Sequence, residues 1–481
     1  MTSTQTLNPR RWLMLPVVFT AAFMAIVDVF IVNVAAPSIQ THLHASEDEV
    51  QWLVAIYVLA YALGLITGGR LGDIYGRRRL LRLGLAGFTI ASALCGAAPS
   101  PGALLAARLV QGLSAALMFP QMLSVIQVEF PPEERGRCFA LLGAVQGAGA
   151  ILGQILGGGL ISLNVLGMDW RSVFLINVPV GIVAFVAAGR LVPESRSESA
   201  RRLDLGGVAL LSLVLGLIVF PLVEGRQAGW PWWVPVAFVA ALPAGALWLA
   251  HERRVTARGG APLVELGLFR ERRFSIGVSV VLLFWMITSF FLLLGLYFQN
   301  GLGYSPIVSG LLFTPLAVTF VTASLNTHRF GRIPHDRLLT GAGTIASGGL
   351  LIAAITASGT VSALPAAGLV PAFVLVGLGT GLFMPTVTTA VLRGVPTASA
   401  GSASGVLSTA QQVGNAMGVT IAGTVFFSQL GSHTGPAAYG DALAVGTLVA
   451  VGVTLSAALL ATRLRERAVA ERAGKPQAAL K

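Results

Sequence analysis

The basic residues of this chain alternate with long apolar stretches, and that alternation fixes how the chain threads. Fourteen stretches, roughly 13–36, 50–69, 80–98, 103–128, 138–163, 172–192, 205–223, 232–250, 274–298, 307–327, 338–357, 364–392, 401–428 and 441–462, match the length an α-helix needs to cross a bilayer. Of the 32 lysines and arginines, all but Arg108, Arg171 and Arg226 fall at the termini or in every second connection. Cytoplasmic loops collect positive charge. The side holding Arg10 and Arg11, Arg70 to Arg82, Arg135 and Arg137, Arg190 to Arg202, Arg253 to Arg273, Arg329 to Arg337, Arg393 and the tail from Arg463 is therefore expected to be cytoplasmic, with both termini there. Of the three exceptions, only Arg108 lies within a span.

Composition agrees with a multi-pass protein of the cell membrane. The chain is 55% hydrophobic and 11% charged, with 57 glycines and a mean hydropathy of +0.78, which suits helices packed through small residues. A net charge of +12 would suggest nucleic acid in a soluble protein. Here the inside bias and anionic inner-leaflet lipids account for it, so nucleic acid is not an expected partner. Seven tryptophans (Trp12, Trp52, Trp170, Trp230, Trp232, Trp233 and Trp248) fall near span ends, where amphipathic rings sit at headgroup level, and Trp285 falls inside a span. Cys95 and Cys138 lie at opposite ends of their spans, so no disulfide or metal framework follows. The first apolar run is longer than a signal-peptide core and contains Asp28, so it reads as a retained span. The arginine-for-lysine and alanine–glycine bias points to a high-GC bacterial source.

An internal repeat divides the chain. The segment Gly112–Pro120 in the fourth span matches Gly377–Pro385 in the twelfth, with glycine, two leucines and proline in register, and each copy precedes a glycine-dense span. Two homologous halves starting on the same side make a parallel repeat, which places a transport site between them. The expected organisation is a six-helix half at 1–200, two inserted spans at 201–250, and an interfacial connector at 251–273 lying on the inner leaflet. A second six-helix half at 274–462 and a basic cytoplasmic tail at 463–481 complete it.

Asp28 is the one acid well inside a span, and Arg108 is the one comparable base. Counting residues from the span ends at about 1.5 Å each puts both at similar depth in the outer half of the membrane, within reach of an ion pair or a shared water. Such a pair either fixes helix packing or marks an ion or substrate path, the commoner use of intramembrane charge.

Between spans 2 and 3, Gly69-Arg70-Leu71-Gly72-Asp73-Ile74-Tyr75-Gly76-Arg77-Arg78 packs a turn, one acid and a basic cluster into a short connection. Glycine permits close approach and the turn, and Asp73 can accept from a helix start or an arginine. This resembles the G-x-L-x-D-x-x-G-R-[RK] loop of the major facilitator superfamily. Ile26 to Pro37 resembles the first-span motif of its 14-span drug:proton antiporter branch, whose aspartate corresponds to Asp28. Leu105 to Gly112 resembles the fourth-span motif whose arginine is associated with proton coupling. Trp170 to Gly181, Trp52 with Tyr57, and Gln299 with Tyr304-Ser305-Pro306 and Gly310 also resemble that branch.

Two departures stand out. In the fifth span, Gly149, Gly153, Gly157 and Gly158 preserve an antiporter-like glycine ridge, but Gln154 stands where the family has proline. The second-half copy of the loop, near Asn326 to Arg332, lacks the acid.

The only lysines, Lys475 and Lys481, lie in the tail, so no phosphate-cradling loop of an ATPase is present, and no enzyme motif stands out. The resemblance implies an all-α major facilitator fold and a monomeric, proton-coupled exporter of small lipophilic molecules. It is expected to draw on the proton gradient rather than a bound cofactor. Asp28 and Arg108 are expected to couple protons, and Gly69, Asp73, Gly76, Arg77 and Arg78 to gate; Asn33, Gln111, Gln121, Gln146, Gln154 and Gln299 are the expected polar contributors to the substrate cavity, the alternative for each being to satisfy a neighbouring backbone group. A nutrient importer or facilitator on the same scaffold, or a non-transporting membrane receptor, are the alternatives.

Overall fold

The computed structural model describes residues 11–164, 167–197, 203–225, 228–327, 334–358, 366–393, 395–431, 433 and 435–463. Some side chains within those stretches, Asn33 and Gln154 among them, lie outside the description. The chain is all-helical. The first half comprises α1 (Arg11–Leu43), α2 (Glu47–Tyr75), α3 (Arg77–Gly96), α4 (Pro101–Glu129), α5 (Pro132–Leu163), α6 (Ser172–Leu175) and α7 (Asn177–Leu191). Then come α8 (Leu205–Glu224) and α9 (Trp233–Ala257). The second half comprises α10 (Arg272–Met286), α11 (Ser289–Leu296), α12 (Pro306–Leu312), α13 (Thr314–Leu325), α14 (Pro334–Ala357), α15 (Val370–Leu392), α16 (Ala400–Leu430) and α17 (Pro436–Thr462).

The pairs α6/α7, α10/α11 and α12/α13 are each one crossing with an internal break. Among the described residues, 13 helical segments are long and apolar enough to cross a membrane. The 32-residue α5 supplies the remaining crossing. Helix is what such a sequence must form, because in lipid each backbone N–H and C=O has to be satisfied within its own segment.

Several helices outrun their apolar stretches. α2 continues through Gly69–Tyr75, so the expected loop is the last two turns of a helix, and Gly76 alone joins it to α3. Its φ of 109° is one that glycine adopts freely, and a Cβ there would strike the Glu194 carboxylate. α9 likewise runs to Ala257, absorbing the start of the expected connector. The connector's Leu263, Val264 and Leu268 turn inward and are buried in the same core as Leu211 of α8 and Leu392 of α15.

The sequence repeat recurs as geometry. Gly112 on α4 sits against the Tyr57 carbonyl of α2, and Gly377 on α15 sits against the Leu316 carbonyl of α13. Absent side chains at both places let the backbones of each pair touch. The halves meet along α2 with α16 and α5 with α13, while α8 packs on α9, α2 and α16. Much of α9 points outward, with Val236, Val239, Leu242 and Leu247 exposed to what would be lipid. Two of the span-end tryptophans have defined partners. Trp170 is fully buried against Phe174 with the Arg171 guanidinium over its ring, and Trp248 donates to Glu252.

Candidate functional site

The apolar core of the first half encloses one polar knot. α1 carries Asp28, α4 carries Arg108 and Gln111 one turn apart, α3 carries Ser92, and α7 begins at Asn177. Asp28 and Arg108 form an ion pair through Oδ2 and Nη1, with both side chains at most 1% exposed. The other carboxylate oxygen accepts from Gln111 Nε2 at 2.7 Å and Asn177 Nδ2 at 3.3 Å. Arg108 also donates to Gln111 Oε1 at 2.8 Å and, through Nε, to the Leu53 carbonyl at 3.0 Å. Its guanidinium lies 4.3 Å over the Tyr57 ring. Gln111 reaches Ser92 Oγ at 2.8 Å. Burying two charges is costly unless their remaining lone pairs and protons are satisfied, and here Gln111 of α4, Asn177 of α7 and the Leu53 carbonyl of α2 supply the partners.

A second cluster closes the arginine-rich end. Asp73, wholly buried, accepts from the backbone N–H groups of Gly401 at 3.2 Å and Ser402 at 3.1 Å, the first turn of α16. A carboxylate at a helix N-terminus meets unpaired donors and the positive end of the helix dipole. Arg77 donates to Asp73 at 2.6 Å and to the Thr397 carbonyl at 3.2 Å, so the pair grips both halves. Gly69 and Gly401 face each other so closely that a Cβ on either would strike the other's carbonyl oxygen.

The segment after α7 holds this cluster from behind. Arg77 N donates to Ser195 O at 2.8 Å, Ser197 N donates to Asp73 O at 2.9 Å, and Arg78 N donates to Glu194 at 3.1 Å. Further bonds cross between halves at the same end: Ser124 Oγ to Ser404 Oγ at 3.3 Å, Gln127 to the Leu392 and Val395 carbonyls, and Ser324 to the Ala140 carbonyl.

Above this closure lies a small cavity between the halves, lined by Phe119 and Leu123 of α4, Phe139, Leu142 and Gln146 of α5, Met384, Pro385 and Thr388 of α15, and Gln411 of α16. The lining contains no charged side chain. Gln146 Oε1 is buried there without a hydrogen-bond partner, an unmet acceptor next to the void.

With that geometry in place, comparison with known proteins decides the family. The model of the Major Facilitator Superfamily matches residues 18–419. The chain belongs to the major facilitator superfamily. It is 41% identical over 430 residues to a probable actinorhodin transporter of Streptomyces coelicolor, covering 88% of this chain and 74% of that one. It is 37% identical over 474 residues to a puromycin resistance protein of Streptomyces alboniger, covering 94% and 91%. Its fold superposes on a proton:xylose symporter with a TM-score of 0.64 at 17% identity, covering 93% and 95% of the two chains. Family and relatives are membrane transporters, and the relatives are bacterial.

Within this transporter, the residues singled out from sequence separate by location. Asp28, Arg108 and Gln111 meet in the knot, so Gln111 faces the ion pair and not the inter-half cavity. Gln121 is also displaced from its expected place: its amide donates to the Gly68 carbonyl at 2.7 Å inside the α2–α4 contact. Gln299 sits exposed in a π-turn after α11. Of the expected cavity amides with described side chains, Gln146 alone lines the void. Gly149, Gly153 and Gly157 seat α5 on Ile26, Val27, Phe30 and Ile31 of α1, and Gly158 is buried beside them. Asn177, Ser92 and Gln411 escaped the sequence reading. Asn177 had a usable signal, being the one amide in an otherwise apolar crossing.

Proposed function

We propose that the protein is a proton-coupled exporter of small lipophilic compounds, working by alternating access in the bacterial cytoplasmic membrane with both termini inside. The observation that carries this reading is the buried Asp28–Arg108–Gln111–Asn177 knot. A titratable carboxylate is held there by charge and amides in the half of the molecule that supplies α4 and α5 to the cavity. Similarity to a probable actinorhodin transporter and a puromycin resistance protein supports outward movement of small molecules.

Asp28 exchanges a proton as its pairing with Arg108 is made and broken, and the knot ties α1 to α3, α4 and α7. A change at Asp28 thus reaches α4, whose lower half carries Phe119 and Leu123 of the cavity and Ser124 and Gln127 of the closure. The Asp73–Arg77 cluster, with Gly69, Gly76 and Arg78, serves as the cytoplasmic gate. The proton gradient supplies the energy with no bound cofactor, and a monomer holds every part the cycle needs. Transport, not catalysis, is the activity.

The test is export by inverted membrane vesicles with an imposed pH gradient, using a panel of lipophilic antibiotics and dyes. Asp28→Asn is expected to abolish gradient-driven movement while the protein still inserts and binds substrate. Full gradient-driven export by a correctly inserted Asp28→Asn protein would falsify the coupling role.

A further inference from the structure

We infer that Glu265, in the connector between the inserted helices and the second half, is a positioning residue of the cytoplasmic gate that must let go before the gate opens. The inference rests on the export reading above. Glu265 Oε2 accepts from Ser399 Oγ at 2.6 Å, and its Oε1 lies 3.6 Å from Arg70 Nη1. Ser399 immediately precedes α16 in the second half, and Arg70 belongs to α2 in the first. One carboxylate, supplied by neither half, therefore spans the line along which the halves must part.

It acts on the same helix start that Asp73 holds through Gly401 and Ser402. Two carboxylates converge there, one from α2 and one from the connector. Separating α2 from α16 breaks the Asp73 attachment and at least one of the two Glu265 contacts, because that carboxylate cannot stay with both Ser399 and Arg70.

The connector is anchored so that it cannot follow both halves. Leu263 and Val264 are at most 1% exposed and share an apolar core with Leu211 of α8, while Glu252 of α9 accepts from Trp248 Nε1 at 3.0 Å. Adjacent residues thus tie the inserted pair on one side and the gate on the other. At the opposite end of the same pair, Thr420 of α16 donates to the Leu222 carbonyl of α8. The two inserted helices thereby gain a mechanical role, since they hold the strap that restrains the gate. The strap also supplies, from outside the repeat, an acid at the gate that the second-half loop copy lacks.

The experiment uses the full chain in inverted vesicles, carrying Ser404→Cys as a reporter. Ser404 is fully buried in the closed gate, and the native Cys95 and Cys138 are buried elsewhere. Labelling by an impermeant maleimide from the cytoplasmic face, without substrate, reads how often the gate opens. A hydrogen bond to a charged group, discounted for partial exposure, predicts that Glu265→Ala raises the labelling rate about fivefold. Ser399→Ala should raise it comparably, and the double variant no further than the stronger single one, because both remove the same contact. Glu265→Gln keeps an acceptor for Ser399 and loses the charge facing Arg70, so it should give a smaller rise.

Unchanged labelling in Glu265→Ala, where Asp73→Asn raises it, overturns the strap and leaves export standing. Simple summation of the two alanine effects overturns it as well. Failure of the export reading shows elsewhere, as absence of any Asp28-dependent movement in vesicles whose gate still labels as described.

Discussion

Gly69 on α2 and Gly401 on α16 meet backbone to backbone, with the Asp73 carboxylate against the same spot. In the proposed cycle this contact is made only while the gate is closed, so side-chain volume here acts on one state of the cycle. Gly401→Val should cost the closed state about 1–3 kcal/mol through overpacking, biasing the gate open by roughly 5- to 150-fold. Spin-label distances between the cytoplasmic ends of α2 and α16 should lengthen. Asp73→Asn should act in the same direction and slow turnover, since an amide oxygen replaces a charge at the helix start. Loss of substrate affinity with unchanged turnover in Asp73→Asn contradicts the gating assignment, because Asp73 lies outside the cavity.

Asn177→Leu isolates the outer support of the proton site. The substitution keeps the γ-branched shape and removes a buried donor to the Asp28 carboxylate, a loss of about 1.5–3 kcal/mol for a hydrogen bond to a charged group. Since the bond is made to the carboxylate proposed to exchange the proton, the pH profile of transport should move. Asn177→Ser, which supplies a hydroxyl donor in place of the amide, should keep part of it. A Tm drop with an unmoved pH profile would assign Asn177 to packing alone.

Much of this arrangement was legible in the residues themselves. Charge alternation gave the crossings, and Asp28 with Arg108 gave the pair, because a charge in lipid has few reasons to exist. The limits of the reading are equally physical. Gln111 and Gln121 are amides in spans, and nothing in a sequence says whether an amide faces a void or answers a neighbouring group. In the structure Gln111 satisfies a carboxylate and Gln121 a carbonyl. Glu265 looked like an ordinary loop acid, because its two partners lie 134 and 195 residues away along the chain and only the folded gate brings them together. The connector's leucines matched an interfacial pattern that buried packing satisfies equally well.

At the start of α5, Glu134 accepts from Arg11 at 2.8 and 2.9 Å, tying α1 to α5. That hydrogen bond and the arginine's charge hold the Glu134 carboxyl below its ordinary value. A depressed folded value means that the pair's contribution is complete above the unfolded carboxyl range, about 4.3, and is lost as pH falls through the folded value. Glu134→Gln should therefore melt slightly below the parent at pH 7 in thermal unfolding of detergent-solubilised protein. The difference should shrink in strongly acidic buffer and in high salt, as for any exposed pair. A gap that widens on acidification would reverse the sign and exclude this pairing as its cause.

The cavity's chemistry limits what the exporter can carry. Its lining offers Phe119, Phe139, Leu123, Leu142, Met384 and Pro385 as apolar surface, with Gln146, Thr388 and Gln411 as polar groups and no carboxylate. In the second half the nearest acids are peripheral: Asp441 lies near the start of α17 and Asp336 near that of α14. Desolvating two positive charges beside a single, already paired Asp28 is heavily penalised. Neutral, zwitterionic and monovalent cationic compounds should therefore be exported and dications poorly, with one proton per cycle through Asp28. Protection of a sensitised bacterial strain against matched monovalent and divalent lipophilic cations measures this directly. Equal protection against both, abolished by Asp28→Asn, would show that rings and amides suffice for a second charge. Gln146→Leu, which removes the unmet acceptor, should in turn weaken export of compounds bearing a hydrogen-bond donor by about tenfold, equivalent to 1.4 kcal/mol. Compounds without a donor should be unaffected.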